Sequence, residues 1–386
     1  MVEQTRALGI LEVRGMAALM GATDAMLKAT EVRVCGRHAI GSGWVTVIIE
    51  GTVAAVDRAM AVGTSTAERY GEIISAEVVP RLEENAVQRM PHAAAAVTDA
   101  QVGPGALGLL ETQGLAPLMV GADAMVKAAA VEIQGWTYIG GALSHVVVRG
   151  DVAAVHSAVE AGRRSAEEVG QVNSHIVIPQ PIEGLAALLP PPVAAAPIAV
   201  GALGILETTG YVSAIAGSDV MVKTSEVELV RFSIGSGGRV VSLVTGALDD
   251  VRAATAAGAE AAAEAGEVNG VEVISRPDEQ VMACFGGVET ERAQDETLRA
   301  LGLIETRSTV ALVKAVDQML KAADVEYEGS YKVGYFLTAS VFRGDVGAVK
   351  VALEVGATTA RQYGELVSAH LIPQPYAGLE ARLLHQ

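Results

Sequence analysis

Aromatic residues make up only 4% of this 386-residue chain, cysteine occurs twice, and basic residues are outnumbered. Each shortage excludes something. Lys and Arg total 28 against 45 Asp and Glu, a formal net charge of −17, which argues against a globally basic nucleic-acid binder. Cys35 and Cys284 are too few for a disulfide framework or a four-thiolate metal site within one chain. The start, Met1 to Arg6, has no basic segment followed by an apolar one, so no secretory signal is expected. The charge-free run from Gly184 to Leu206 has the length of a membrane span. It is interrupted by Pro190, Pro191, Pro192 and Pro197, which break a helix, and it reads as a linker running into a strand. A soluble cytoplasmic protein is expected, with no membrane partner. Half the residues are nonetheless apolar, which excludes disorder as the dominant state. With few aromatics and 42 glycines, the core must be built from small aliphatic side chains. A positive mean hydropathy without a membrane segment points to surface buried between subunits.

What the chain has is internal repetition. The strings ALGILEVRG, ALGLLETQG, ALGILETTG and ALGLIETRS begin at Ala7, Ala106, Ala202 and Ala300, spacings of 99, 96 and 98 residues. Each is followed by an Asp-x-Met-x-Lys-type segment, at Asp24 to Lys28, Asp123 to Lys127, Asp219 to Lys223 and Asp317 to Lys321. A glycine loop comes next, at Gly41, Gly140, Gly235 and Gly334, and proline-bearing ends close the copies at Pro80, Pro179-Gln180-Pro181, Pro277 and Pro373-Gln374-Pro375. A period near 98 residues is too long for a solenoid unit and long enough for a small domain. Four tandem domains are expected at 7–91, 106–189, 202–277 and 300–386, joined by linkers near 92–105, 190–201 and 278–299. Repeats 1 and 3 share Ile-Gly-Ser-Gly, whereas repeats 2 and 4 share Arg-Gly-Asp-Val and Ile-Pro-Gln-Pro, so a two-domain unit is expected to have duplicated.

Repeat 1 shows the local pattern. Ala7–Val13 is a short apolar run that predicts a buried strand, and 15–29 carries Met16, Leu19, Met20, Met26 and Leu27 at helical spacing. Val32–His38 and Trp44–Ile49 are β-branched strands around the glycine loop, and Thr52 is positioned to cap a second helix reaching Arg69. Ile73–Val79 predicts a last strand, stopped by Pro80. The order β-α-β-β-α-β predicts an α+β domain, an antiparallel sheet with helices packed on one face.

These strings, in this order, resemble the bacterial microcompartment (BMC) shell domain. ALGxxE, Asp-Ala-Met-x-Lys-Ala, Ile-Gly-Ser-Gly, Arg-Gly-Asp-Val-x-Ala-Val and His-x-Ile-Pro-x-Pro carry the resemblance over most of every copy. It implies hexagonal or pseudo-hexameric tiles that pack edge to edge into a polyhedral shell around enzymes, with the glycine loops around a central pore for small metabolites. By position the pore residues are Gly41, Ser42 and Gly43; Gly140, Gly141 and Ala142; Gly235, Ser236 and Gly237; and Gly334, Tyr335 and Phe336. Tyr335 and Phe336 are large enough to narrow or plug an opening. The resemblance places Lys28, Lys127, Lys223 and Lys321 at the tile edge, with Arg81 and Arg276 reaching across it and Gln180 and Gln374 standing where arginine is usual. Gln keeps hydrogen bonding and loses the charged fork.

No catalytic residue, metal site or cofactor is expected. The histidines do not recur as a set, and no phosphate loop, nucleophile elbow or His-Glu-x-x-His string is present. Glu12, Glu111, Glu207 and Glu305 do recur, but a single carboxylate lacks a partner group at readable spacing. Each is expected to bond backbone or a neighbouring subunit. Four domains do not divide a ring of six, so the smallest closed solution is three chains supplying twelve domains, with repeats 1 and 2 alternating in one ring and 3 and 4 in the other. The expected partners are further copies of the chain, a homotrimer, together with other shell proteins and enclosed enzymes. The alternative function is a scaffold or adaptor that organises enzymes through the same fold without enclosing them.

Overall fold

The computed structural model describes residues 6–80, 103–190, 201–285, 299–334 and 337–376. The chain divides into two compact units, one built on repeats 1 and 2 and the other on repeats 3 and 4 together with residues 114–116.

Unit 1 opens with β1 (Arg6–Arg14), a helix (Met16–Ala29), β2 (Arg33–Gly41), β3 (Trp44–Thr52), a second helix (Val53–Ala67) and β4 (Ile73–Val79). Repeat 2 follows the same order with β5 (Ala106–Gln113), β6 (Val131–Gly140), β7 (Leu143–Gly150) and β8 (Val172–Ile178), and helices Leu115–Ala128 and Val152–Val169. The sheets run β2-β3-β1-β4 and β6-β7-β5-β8, and every pairing is antiparallel. The ALG string is central in each sheet because it is apolar on both faces; β5 is buried along nearly its whole length.

Thr52 caps the second helix, its hydroxyl accepting from the Ala55 N–H at 3.3 Å. The two helices of a repeat cross closely. A Cβ on Gly63 would lie 2.0 Å from Met26 Cε, and one on Gly162 would lie 2.4 Å from Met125 Cγ. The methionine of the Asp-x-Met-x-Lys string fills the notch a glycine leaves, and Met26 and Met125 are fully buried.

Repeats 1 and 2 share one apolar core. Ala17, Leu19 and Met20 of the first helix lie in the same cluster as Leu107, Leu109, Val147 and Ile178 of the repeat-2 sheet. A short 3-10 helix after repeat 2 (Glu183–Leu188) adds Leu185 and Leu188, and Arg37 donates to the Leu188 carbonyl at 3.2 Å.

Unit 2 repeats the plan with β9 (Ala202–Thr209), β10 (Val227–Ile234), β11 (Arg239–Gly246) and β12 (Glu267–Ile274), then β13 (Ala300–Thr306), β14 (Val325–Val333), β15 (Leu337–Gly344) and β16 (Leu366–Ile372). Its helices are Tyr211–Thr224, Leu248–Ala265, Thr309–Ala322 and Val346–Tyr363. The sheets run β10-β11-β9-β12 and β14-β15-β13-β16. Tyr211, Val212 and Ile215 share a core with Leu301, Leu303, Val341 and Ile372. Tyr211 stacks on Tyr331, ring centroids 4.9 Å apart.

The segment 278–299, expected as a linker, departs from that expectation. It carries a helix at Glu279–Phe285 with Val281, Met282, Cys284 and Phe285 buried. Seven residues are too few for a periodic signal, and the acidic stretch beyond them dominates the composition.

Candidate functional site

The chain's chemistry-bearing residues gather at the junctions between repeats. The first helix of repeat 1 begins after Gly15, at φ 99°, which offers no side-chain cap. The missing acceptor comes from the next repeat: the Met16 N–H donates to Glu111 Oε2 at 2.5 Å, and Asn173 Nδ2 donates to Glu111 Oε1. Unit 2 repeats the arrangement. Gly210, at φ 100°, precedes a helix whose Tyr211 N–H donates to Glu305 Oε1 at 2.9 Å. Glycine is required twice over, by the positive φ and by space, since a Cβ on Gly15 would lie 2.6 Å from Glu111 Oε1 and one on Gly210 would lie 2.5 Å from Glu305 Oε2. Glu207 is likewise buried and accepts from the N–H groups of Leu115 and Ala116 at 2.9 and 3.2 Å.

The helix dipole and the converging N–H groups favour the ionised carboxylate, and burial opposes it. Burial dominates, pushing Glu111 up to about 7 and raising Glu305 and Glu207. The recurring glutamates therefore cap a neighbouring repeat. Glu12, at the open end of unit 1, is the exception. It is half-buried and accepts from the Thr46 hydroxyl at 3.1 Å.

Opposite Glu111 in the sheet stands His145, fully buried, with no partner for either ring nitrogen. Burial, and after it the Arg37 charge, lowers it to about 3, so the ring is neutral at pH 7.

The junctions bring the glycine loops side by side. Ser42 and Gly43 have φ 54° and 80°, and Gly141 and Ala142 have 60° and 64°, the signs a two-residue type I′ turn requires. A Cβ on Gly140 would lie 2.7 Å from Ser42 N, so the two loops touch at main-chain distance. In unit 2 a Cβ on Gly334 would lie 2.8 Å from Gly238 N. Repeat 3 makes a longer turn over Gly235, Ser236, Gly237 and Gly238, closed by the Gly235 N–H donating to the Arg239 carbonyl at 2.7 Å. Gly238 was not marked by the sequence pattern. Tyr335 and Phe336 lie outside the described residues.

All four repeated lysines pair with the aspartate one turn earlier: Lys28–Asp24 at 2.6 Å, Lys127–Asp123 and Lys223–Asp219 at 2.5 Å, and Lys321–Asp317 at 2.7 Å. The other aspartate oxygen holds the closing segment of the following repeat. Asp24 Oδ1 accepts from the Ile182 N–H at 3.2 Å and Asp219 Oδ1 from the Tyr376 N–H at 2.9 Å. Lys223 also donates to the Gln374 carbonyl. The lysine and the Pro-Gln-Pro segment thus meet inside a unit, through the main chain of Gln374. Gln180 and Arg276 are exposed near the ends of β8 and β12, and Arg81 lies outside the described residues.

Neither cysteine forms a disulfide, and burial raises Cys35 to about 11 and Cys284 to about 12. Among the described residues no three His, Cys, Asp or Glu side chains come together as a metal site, and no helix is long and apolar enough to cross a membrane.

Comparison with known proteins agrees with this repeated architecture. The BMC domain matches at residues 7–82, 106–181, 202–277 and 300–375. The carboxysome assembly protein CcmO of Synechocystis sp. is 39% identical over 192 residues, covering 48% of this chain and 64% of that protein. The chain therefore spans a little under two thirds of that relative's length. The bacterial microcompartment shell proteins EutM and PduA of Salmonella typhimurium are 49% and 44% identical over 83 and 81 residues, each covering 86% of the relative and about a fifth of this chain.

Proposed function

The chain belongs to the BMC-domain family, carrying the domain four times, and from that premise we propose that it is a structural building block of a bacterial microcompartment shell. The observation that carries this reading is the junction itself. One face of a repeat, its sheet and its glutamate, seats on a different face of its neighbour, the start of the first helix, and the same pairing occurs in both units. Contacts between unlike faces propagate around a closed ring or along a filament. A ring of six repeats is the closure we infer, and three copies are the smallest set that fills whole rings.

In such a tile the loops at Gly41–Gly43, Gly140–Ala142, Gly235–Gly237 and Gly334–Phe336 line a central opening. In the first three loops, small side chains and main-chain N–H groups suit hydrated, neutral or anionic metabolites. Tyr335 and Phe336 narrow the opening in this reading. Lys28, Lys127, Lys223 and Lys321 remain partly exposed beyond their aspartates, and in this reading they lie at the contact with a neighbouring tile along with Arg81, Gln180, Arg276 and Gln374. The partners are other copies, other shell proteins and the enclosed enzymes, and the chain itself does no chemistry.

A second reading is a scaffold that gathers enzymes without enclosing them. The name of the carboxysome assembly protein among the relatives favours it. Affinity purification of the tagged chain from cells separates the two: closed polyhedra containing it support the tile, and enzyme clusters without plates support the scaffold.

A further inference from the structure

One cross-strand pair recurs at the same two places in every sheet. Counting from the alanines that begin each repeat, it is Arg33 with Glu50, Glu132 with Arg149, Glu228 with Thr245 and Glu326 with Arg343, each directly opposed in register. Repeats 1, 2 and 4 oppose unlike charges there, repeat 1 with the signs exchanged. Repeat 3 has threonine where repeats 2 and 4 have arginine.

The two arginines show what that place holds. Arg149 donates through Nε to Gln134 Oε1 at 3.1 Å and through a terminal nitrogen to the Gly103 carbonyl. Arg343 donates to the Arg299 carbonyl at 3.1 Å, its Nε lies 3.4 Å from Glu328 Oε1, and it is 9% exposed. Each guanidinium thus sits between a side chain of the hairpin and the main chain that leads into the central strand. Thr245 reaches only the Ala202 carbonyl, at 3.0 Å, and brings no charge.

In repeat 3 this place opens into a cleft of about 800 Å³, a volume within the range of small-molecule sites. Glu226, Glu228, Thr245 and Arg276 line it, and so does Gly201, which stands where repeat 4 has Arg299. Every lining residue falls within 201–277. Glu226 and Glu228 are at the start of β10, whereas Arg276 follows β12 at the other edge of the sheet, three strand spacings or about 14 Å away. That exceeds the screening length of about 8 Å at physiological salt, so Arg276 opposes a cation beside Glu228 only weakly. The helix that starts at Leu248 carries Asp249 and Asp250 in its first turn, which offset its positive dipole end. The cleft is at the strand ends away from the Gly235–Gly238 turn, and so is separate from the opening proposed above.

We propose that the repeat-3 cleft binds a guanidinium group from outside the chain, in the place that Arg149 and Arg343 fill from within, with Glu228 and the main chain at Gly201 as acceptors. The group is carried either by a free guanidino compound or by an arginine of a partner protein. The site stands on repeat 3 alone and does not depend on the chain closing into rings. Thr245→Arg supplies the guanidinium from within and is expected to abolish binding. Glu228→Gln keeps the shape, removes the charge at an exposed position and is expected to weaken binding by about tenfold.

Saturation-transfer NMR on the chain measures binding, with propylguanidinium and N-acetyl-L-arginine amide as probes, and circular dichroism confirms that each variant is folded. N-acetyl-L-citrulline amide, neutral and of the same shape as the arginine probe, is expected not to bind. A gain of about tenfold from the peptide unit assigns the site to an arginine of a partner protein, and no gain assigns it to a free guanidino compound. A wild-type chain that binds neither probe at about 10 mM overturns the proposal, as do folded variants that bind like the wild type and a citrulline probe that binds like the arginine one. None of these outcomes bears on plates or rings, so the tile reading is tested separately.

Discussion

The Met16 N–H and the Glu111 carboxylate meet at 2.5 Å although 95 residues separate them in sequence. The first belongs to a helix whose preceding residue has no side chain to cap it, and the second lies near the end of a buried strand of the next repeat. Removing the carboxylate leaves a buried N–H without an acceptor. Glu111→Ala is therefore expected to cost about 1–3 kcal/mol, and Glu305→Ala a similar amount through the Tyr211 N–H. Urea unfolding of the full chain measures both, and losses below about 0.5 kcal/mol would contradict the capping role.

The same carboxylate makes stability depend on pH. Burial raises Glu111 from 4.5 to about 7, so the folded protein holds a proton that the unfolded chain releases earlier. Its contribution is complete below pH 4.5 and is lost as the pH rises through 7. His145 works in the opposite sense. Lowered from 6.5 to about 3, it contributes above pH 6.5 and loses that contribution as the pH falls toward 3. Glu111→Gln is expected to flatten the stability profile between pH 4.5 and 7, and His145→Val to flatten it on the acid side. Profiles for the variants that parallel the wild type's would contradict both assignments.

His145→Val is also expected to stabilise the protein at pH 7, by about 1–3 kcal/mol, because it removes two buried nitrogens that have no partner. Val241 stands at the corresponding place opposite Glu207, which shows that the sheet accommodates the smaller apolar side chain there. A thermal unfolding midpoint below that of the wild type would count against this.

Gly210→Ala is expected to destabilise by about 2 kcal/mol or more, since an L-residue at φ 100° is strained and its Cβ would sit 2.5 Å from Glu305 Oε2. Ser308→Gly, at the equivalent place in repeat 4, is expected to cost only a few tenths of a kcal/mol, because glycine is itself a tolerated cap. Equal effects at the two positions would show that the neighbouring carboxylate is not what makes the first position special.

Replacing Lys28, Lys127, Lys223 and Lys321 together by Ala should spare folding. Each loses an i,i+4 ion pair whose lysine end is exposed, worth about 0.3–0.5 kcal/mol. If the lysines join tiles, extended plates disappear while isolated rings persist in electron micrographs. Unchanged plates would remove the edge role.

Much of this fold is legible in the sequence. The run Ala7–Val13 becomes β1 at Arg6–Arg14, the Asp24–Lys28 spacing gives the ion pair, and Thr52 caps the helix it precedes. All three depend on neighbours a few residues apart. What the sequence hides is long-range. Gly15 reads as the end of a string, and only the fold shows the carboxylate that would collide with a side chain there. Glu111 reads as a lone acid because its partner is a main-chain amide, which has no residue signature.

Electron microscopy of the purified chain tests the central claim most directly. The account predicts flat particles with six-lobed rings around a small central opening. Single four-lobed particles at every concentration, without rings or plates, would contradict it.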